Sequence, residues 1–191
     1  MAPHAARTEP MTVVAFLAFS DTRPDGEKWE LLDGEMVLNA SPARDHQKLV
    51  GNIIFALETL RRAAAVDWEA MPGIGVRLSR FSSVEPDVMI RPNDDFRGNN
   101  CDDIIVAFEV LSPSTRRNDL QSKRRNYALL KTLAHYVVVS AEKTEVRLCS
   151  RASGWQETVM TSLDDVLALE GPGISLPLAA IYAGINPMRA P

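Results

Sequence analysis

Two carboxylates stand beside apolar runs, in Glu85-Pro86-Asp87 and in Phe108-Glu109-Val110, and a lysine, Lys123, follows them. Proline suits the first residue of a strand or an edge, which sets Asp87 at the mouth of a sheet. Glu109 interrupts an otherwise apolar strand. An ionised Glu there costs on the order of several kcal/mol unless it is paired, hydrogen-bonded or metal-bound. Two carboxylates on adjacent strands, with a backbone carbonyl and waters, suit Mg²⁺, which takes only one or two protein carboxylates and keeps several waters. Such an ion polarises a phosphoryl oxygen and lowers the pKa of an attacking water. A nearby lysine adds charge stabilisation or orients the nucleophile. The same residue types equally suit a structural salt bridge between Glu109 and a basic partner, and the pattern alone leaves both readings open.

The elements that must position these groups follow from periodicity and turn chemistry. Residues 1–10 read as a loose leader, 11–185 as one domain and 186–191 as a tail. Met11 to Ser20 forms a short helix with Thr12 as its cap. Trp29 to Leu32 and Met36 to Leu38 flank Asp33-Gly34, a strong hairpin signal because a type I′ turn needs positive φ at both central residues. Leu49, Val50, Ile53, Ile54, Leu57 and Leu60 recur at helical spacing between Asp45 and about Ala65. Strands are expected around Val66 to Glu69, Ile74 to Leu78 and Pro86 to Ile90. Ile104 to Leu111 reads as a central strand buried on both faces. A helix follows over Asp119 to Leu133, with Leu120, Tyr127, Leu130 and Leu133 inward, then strands at Tyr136 to Val139, Glu145 to Leu148 and Trp155 to Met160. A turn at Gly171 to Gly173 precedes a last helical turn from Pro177. The expected architecture is α/β (α+β), a mixed central sheet flanked by helices.

Composition excludes several classes. With 46% hydrophobic and 24% charged residues the chain is an ordinary globular protein and not a disordered or membrane one. Its longest apolar runs are far shorter than the roughly 20 residues a bilayer needs, and without a signal peptide it is expected in the cytoplasm. Cys101 and Cys149 lack metal-ligand spacing and read as reduced structural thiols. A net charge of −4 rules out nucleic-acid binding by bulk electrostatics, so any phosphate-binding surface is local. Arg116, Arg117, Lys123, Arg124, Arg125 and Lys131 form the one basic concentration, more often a solvated helix face than a binding patch.

The run from Ile104 to Tyr127, IIVAFEVLSPSTRRNDLQSKRRNY, closely resembles the Uma-type restriction endonuclease family of bacteria, which is grouped with the PD-(D/E)XK nucleases. Glu109, Ser112, Pro113, Ser114, Thr115, Asp119, Lys123 and Tyr127 stand at matching positions, and Pro86-Asp87-Val88 matches the upstream element. Trp29 to Glu35 resembles the family's opening hairpin, and His46 falls where the family carries a histidine. The resemblance runs from about Met11 to Tyr182. It departs at Leu111, where the superfamily usually has its lysine, and at His135 to Ser140, which lack a tryptophan and an aspartate. The resemblance implies that the lysine has moved to the following helix as Lys123.

It further implies a restriction-endonuclease-like fold and a magnesium-dependent endonuclease, with Mn²⁺ as an alternative ion. Asp87 and Glu109 would bind the metal and Lys123 would offset charge on the scissile phosphate. Glu30 would approach the metal or its water, or is an ordinary polar residue of the hairpin. His46 lines the cleft or is structural, Asp119 is a helix cap with a role behind the metal ligands as the alternative, and Tyr127 is placed behind the metal ligands too. Duplex DNA is the expected partner and a homodimer the expected assembly. The competing functions are a non-catalytic nucleic-acid or protein-binding module and a nuclease of RNA or a small nucleotide. Without a cation Asp87 and Glu109 repel, which raises the pKa of one of them. Asp87→Asn is then expected to be at least as stable as the parent in chelator, and Lys123→Ala to leave the fold intact.

Overall fold

The computed structural model describes residues 9–24, 26–64, 66–111 and 118–186, with the side chains of 118–120 outside the description. The chain begins with α1 (Val13–Ser20), where Thr12 Oγ1 accepts the Ala15 N–H at 3.3 Å, as a capping threonine does. The hairpin β1 (Lys28–Leu32) and β2 (Glu35–Asn39) turns at Asp33 and Gly34, whose φ values of 51° and 85° are those the turn demands. Then come α2 (Arg44–Ala63), β3 (Trp68–Met71), β4 (Gly75–Arg77), β5 (Ser83–Val84), β6 (Val88–Pro92), β7 (Asn100–Cys101) and β8 (Val106–Leu111). The last part holds α3 (Asn118–Leu129), β9 (His135–Ser140), β10 (Val146–Ser150), β11 (Glu157–Met160), β12 (Val166–Leu169), β13 (Ile174–Pro177) and α4 (Leu178–Ile181).

The strands form a six-stranded sheet in the order β11-β10-β9-β8-β6-β3, a five-stranded sheet β2-β1-β5-β4-β7 and the hairpin β12-β13. The six-stranded sheet is mixed: β8 and β9 run parallel, joined through α3, while its other pairs are antiparallel. Strand β8 therefore sits at its centre, as a strand buried on both faces should. Alternation along β8 sends Val106, Phe108 and Val110 into a core with Leu49, Ile53 and Leu57 of α2. Ala107 points the other way, into a second core with Tyr127 of α3 and Tyr136 of β9. Glu109 shares that second face.

The expected mixed central sheet is the six-stranded one, and β1, β2, β4, β5 and β7 pair among themselves as a second sheet. Two expectations need correction. Around the turn at Gly171 to Gly173, β12 and β13 form a hairpin whose alternate residues Leu167, Leu169, Ile174 and Leu176 are buried. Helix α3 ends at Leu129, although Leu130 and Leu133 stay buried in the following turns. No helix among the described residues is long and apolar enough to cross a membrane.

Candidate active site

Strands β6 and β8 pair antiparallel, with Val88 opposite Phe108. One step further the register brings Asp87 across from Glu109, and Asp87 Oδ2 accepts the Val110 N–H at 2.7 Å. Helix α3 covers this end of the sheet with Lys123 and Tyr127, spaced one turn apart and hence on one face. The Tyr127 hydroxyl donates to Glu109 Oε1 at 2.9 Å, and Lys123 Nζ lies 3.3 Å from both Glu109 oxygens. The second sheet contributes Glu30 from β1. Its Oε1 accepts from Lys123 Nζ at 3.1 Å and from the Glu85 N–H at 2.9 Å. Glu30 Oε2 is 3.0 Å from the same ammonium, yet no donor is aligned on it as a hydrogen bond requires. Glu30, Glu109 and Lys123 are all buried, at 1%, 6% and 5% exposure.

Nearer the solvent, His46 of α2 places Nε2 3.2 Å from Asp87 Oδ1, and Lys28 Nζ lies 3.5 Å from that oxygen and 3.6 Å from Glu85 Oε1. These groups, with Glu30, Glu109 and Lys123, line one cleft of about 610 Å³. The expected residues Glu30, Asp87, Glu109, Lys123, Tyr127 and His46 thus converge. Asp119 lies in the first turn of α3, but its side chain falls outside the described ones, as do Ser112 to Arg117 entirely. Lys28 and Glu85 were not anticipated as part of the site. The signal for Lys28 was its place two residues before Glu30, which puts both side chains on one face of β1.

A second network holds α3 in place. The Asp33 N–H donates to Ser82 Oγ at 3.0 Å, Ser82 Oγ donates to Asn126 Oδ1 at 2.8 Å, and Asn126 Nδ2 donates to Asp33 Oδ1 at 3.1 Å. The turn that closes the β1–β2 hairpin is thereby tied to the helix carrying Lys123. The basic concentration seen in the sequence is consequently divided. Lys123 faces inward, Arg124 donates to the Trp155 carbonyl, Arg125 pairs with Asp33, and Lys131 remains exposed.

Electrostatics single out Glu109. Burial pushes its carboxyl up to about 8; Asp87 and Glu30 add to the shift, and Lys123 opposes it. For Asp87 burial acts upward as well, but the His46 hydrogen bond, the Lys28 charge and the Val110 N–H hold it below the ordinary carboxylate range. The liability expected from two facing carboxylates therefore rests on Glu109, while the contacts of Asp87 favour its charged form. Burial and the adjacent Glu109 raise the Tyr127 phenol well above its usual value, so it remains a donor.

A carboxyl whose folded pKa is raised contributes stability at low pH that is lost as pH climbs from its unfolded value toward the folded one. For Glu109 that window runs from 4.5 to about 8. In chelator, Glu109→Gln should gain melting temperature relative to the parent as the pH is raised across this window. Parallel melting curves for the two proteins across the same pH range would show instead that Glu109 is ionised throughout.

Among the described residues no group of three or more His, Cys, Asp or Glu forms a ready metal cluster. A fit for a divalent ion must rest on fewer protein donors, which is the habit of Mg²⁺. The donor set meets that condition: Asp87 and Glu109 offer hard carboxylate oxygens on facing strand positions, and the cleft carries four carboxylates against two ammonium groups. A dication would offset that excess.

The family model described as "Uma2: Putative restriction endonuclease" matches residues 13–179. No curated protein matches the sequence. Among solved structures, the chain is similar to the crystal structure of a putative nuclease belonging to DUF820 from Anabaena variabilis. The TM-score is 0.77 at 12% identity, over 93% of this chain and 100% of that one. At that identity the likeness concerns the fold.

Proposed function

This chain belongs to the Uma2 family, and from that premise we propose that it is a metal-dependent endonuclease that hydrolyses phosphodiester bonds in DNA. The observation that carries the reading is Asp87 facing Glu109 at the mouth of the central sheet, with Lys123 bonded between Glu109 and Glu30 in the same cleft. Asp87 and Glu109 would hold Mg²⁺, or Mn²⁺. When bound, the ion supplies Lewis-acid activation of the phosphoryl oxygen and of water.

The chain's own residues do the rest. Tyr127 and Lys123 keep the Glu109 carboxylate oriented by three contacts. Lys123 supplies positive charge beneath the reacting phosphate in a site largely shielded from water, where such charge acts strongly. Glu30 holds Lys123 through a hydrogen bond at Oε1, with Oε2 also 3.0 Å from the ammonium. His46 fixes Asp87 when its Nε2 carries the proton.

The cleft itself is acidic, which suits a metal and not a bare polyanion. Polymer contacts would come from elsewhere, such as a separate open hollow lined by Arg77, Arg80 and Lys131, where Arg77 is paired with Asp102. Assembly as a homodimer would offer two sites to the two strands of a roughly symmetric duplex. The outer strand β2 supports this reading, with Met36, Val37 and Leu38 exposed on the free edge of its sheet. Light scattering should give a dimer at micromolar concentration, and a monomer at every concentration would contradict it.

The function is tested by incubating the protein with duplex DNA, single-stranded DNA and RNA, in Mg²⁺ and in chelator, beside Glu109→Ala. Metal-dependent cleavage of DNA that Glu109→Ala lacks is the expected result. Cleavage of RNA alone would move the substrate, and cleavage by Glu109→Ala at the parent's rate would remove the site.

A further inference from the structure

We propose that Lys28 is a further catalytic residue, the side chain that contacts a non-bridging oxygen of the bound phosphodiester. This rests on the nuclease reading above and extends it to a residue outside the family motif. Two ammonium groups face the cleft, and they differ in freedom. Lys123 is 5% exposed and held by two carboxylates, so reaching a phosphate at the cleft mouth would require it to leave both. Lys28 stands on the same face of β1 as Glu30, two residues nearer the strand's start, with a third of its side chain exposed.

Its partners hold it loosely. The distances to Asp87 and Glu85, 3.5 and 3.6 Å, exceed those of a formed hydrogen bond, so charge and not fixed geometry keeps the ammonium there. With a third of the Lys28 side chain in solvent, its flexible four-carbon stem can swing. Beside Asp87 Oδ1 the ammonium stands where positive charge is wanted at a carboxylate proposed to bind a dication. A dication on Asp87 and Glu109 would repel it. Glu85, 3.6 Å away, is then its one close carboxylate partner, and an ammonium released from Asp87 can turn to the phosphate at the cleft mouth.

The test separates a phosphate contact from a mere counter-ion. Binding of a short labelled DNA duplex is measured in Ca²⁺ over a range of salt concentrations for the parent, Lys28→Met, Lys28→Gln and Lys28→Arg, and Mn²⁺ affinity is measured by calorimetry. Each lost phosphate contact makes the slope of log K against log salt shallower by about 0.9. Lys28→Met and Lys28→Gln should bind the duplex more weakly with that shallower slope while binding Mn²⁺ more tightly, and Lys28→Arg should keep the parent's slope. An unchanged slope in the Met and Gln variants, with Mn²⁺ binding tightened, makes Lys28 a counter-ion only and overturns the proposal while the nuclease reading stands. A parent that binds neither Mn²⁺ nor duplex overturns both.

Discussion

Lys123→Ala is expected to lower cleavage by on the order of 10²-fold or more, the scale of losing one electrostatic stabiliser at a reacting centre. It should also lower stability. From the sequence, Lys123→Ala is expected to leave the fold intact, but the ammonium is buried between Glu30 and Glu109. Removing one member of a buried ion pair leaves the other charge uncompensated, at a cost of about 3–5 kcal/mol. For a domain of this size that corresponds to roughly 6–20 °C of melting temperature. Protonation of Glu109, whose carboxyl is already pushed up to about 8, moderates the loss at neutral pH and below. Activity is therefore compared at a temperature where circular dichroism shows both proteins folded. Lys131→Ala, at an exposed position, should change neither quantity measurably. If the two variants cleave alike, Lys123 is structural charge and the proposed site loses its electrostatic partner.

The parts of the site that were legible in the sequence are those whose geometry is local. Pro86 marks the start of β6, and an acid inside the apolar run of β8 demands partners, so the pairing of Asp87 with Glu109 follows from the strands' own chemistry. Lys123 and Tyr127 share a helix face by spacing alone. The Asp33-Gly34 turn was equally readable. What could not be read depends on which layer packs on which. Glu30 becomes buried, and Lys28 a group of the cleft, only because the five-stranded sheet lays one face of β1 against the end of β8. Asn126 looks like any polar helix residue until Ser82 and Asp33 close around it. The β12–β13 hairpin is a different kind of miss, since Leu167, Leu169, Ile174 and Leu176 alternate visibly around the Gly-Pro-Gly turn. The end of α3 was obscured because Leu130 and Leu133 continue the apolar spacing into turns.

The second large effect concerns the metal. Asp87 is held below the ordinary carboxylate range, so its charged form contributes stability above the unfolded value of 3.8, which is lost as pH falls. At neutral pH in chelator, Asp87→Asn should thus melt below the parent, because it gives up attraction to His46 and Lys28. That loss alone says nothing of a metal, since a structural ion pair behaves the same way. The response to divalent ions is what discriminates. An ion that binds only the folded state, at about 100 times its dissociation constant, adds roughly 2.7 kcal/mol. For this size of domain the parent should rise by roughly 5–10 °C. The ion would also take the place of the Glu109 proton, so binding should tighten with pH and release protons.

The most direct measurement is accordingly the melting temperature of the parent and of Asp87→Asn, side by side, in chelator and in saturating Mg²⁺ or Mn²⁺ at neutral pH. A rise of roughly 5–10 °C is expected for the parent and little or none for the variant. Equal shifts in the two proteins, or no shift in the parent, would contradict a metal site built on Asp87 and Glu109.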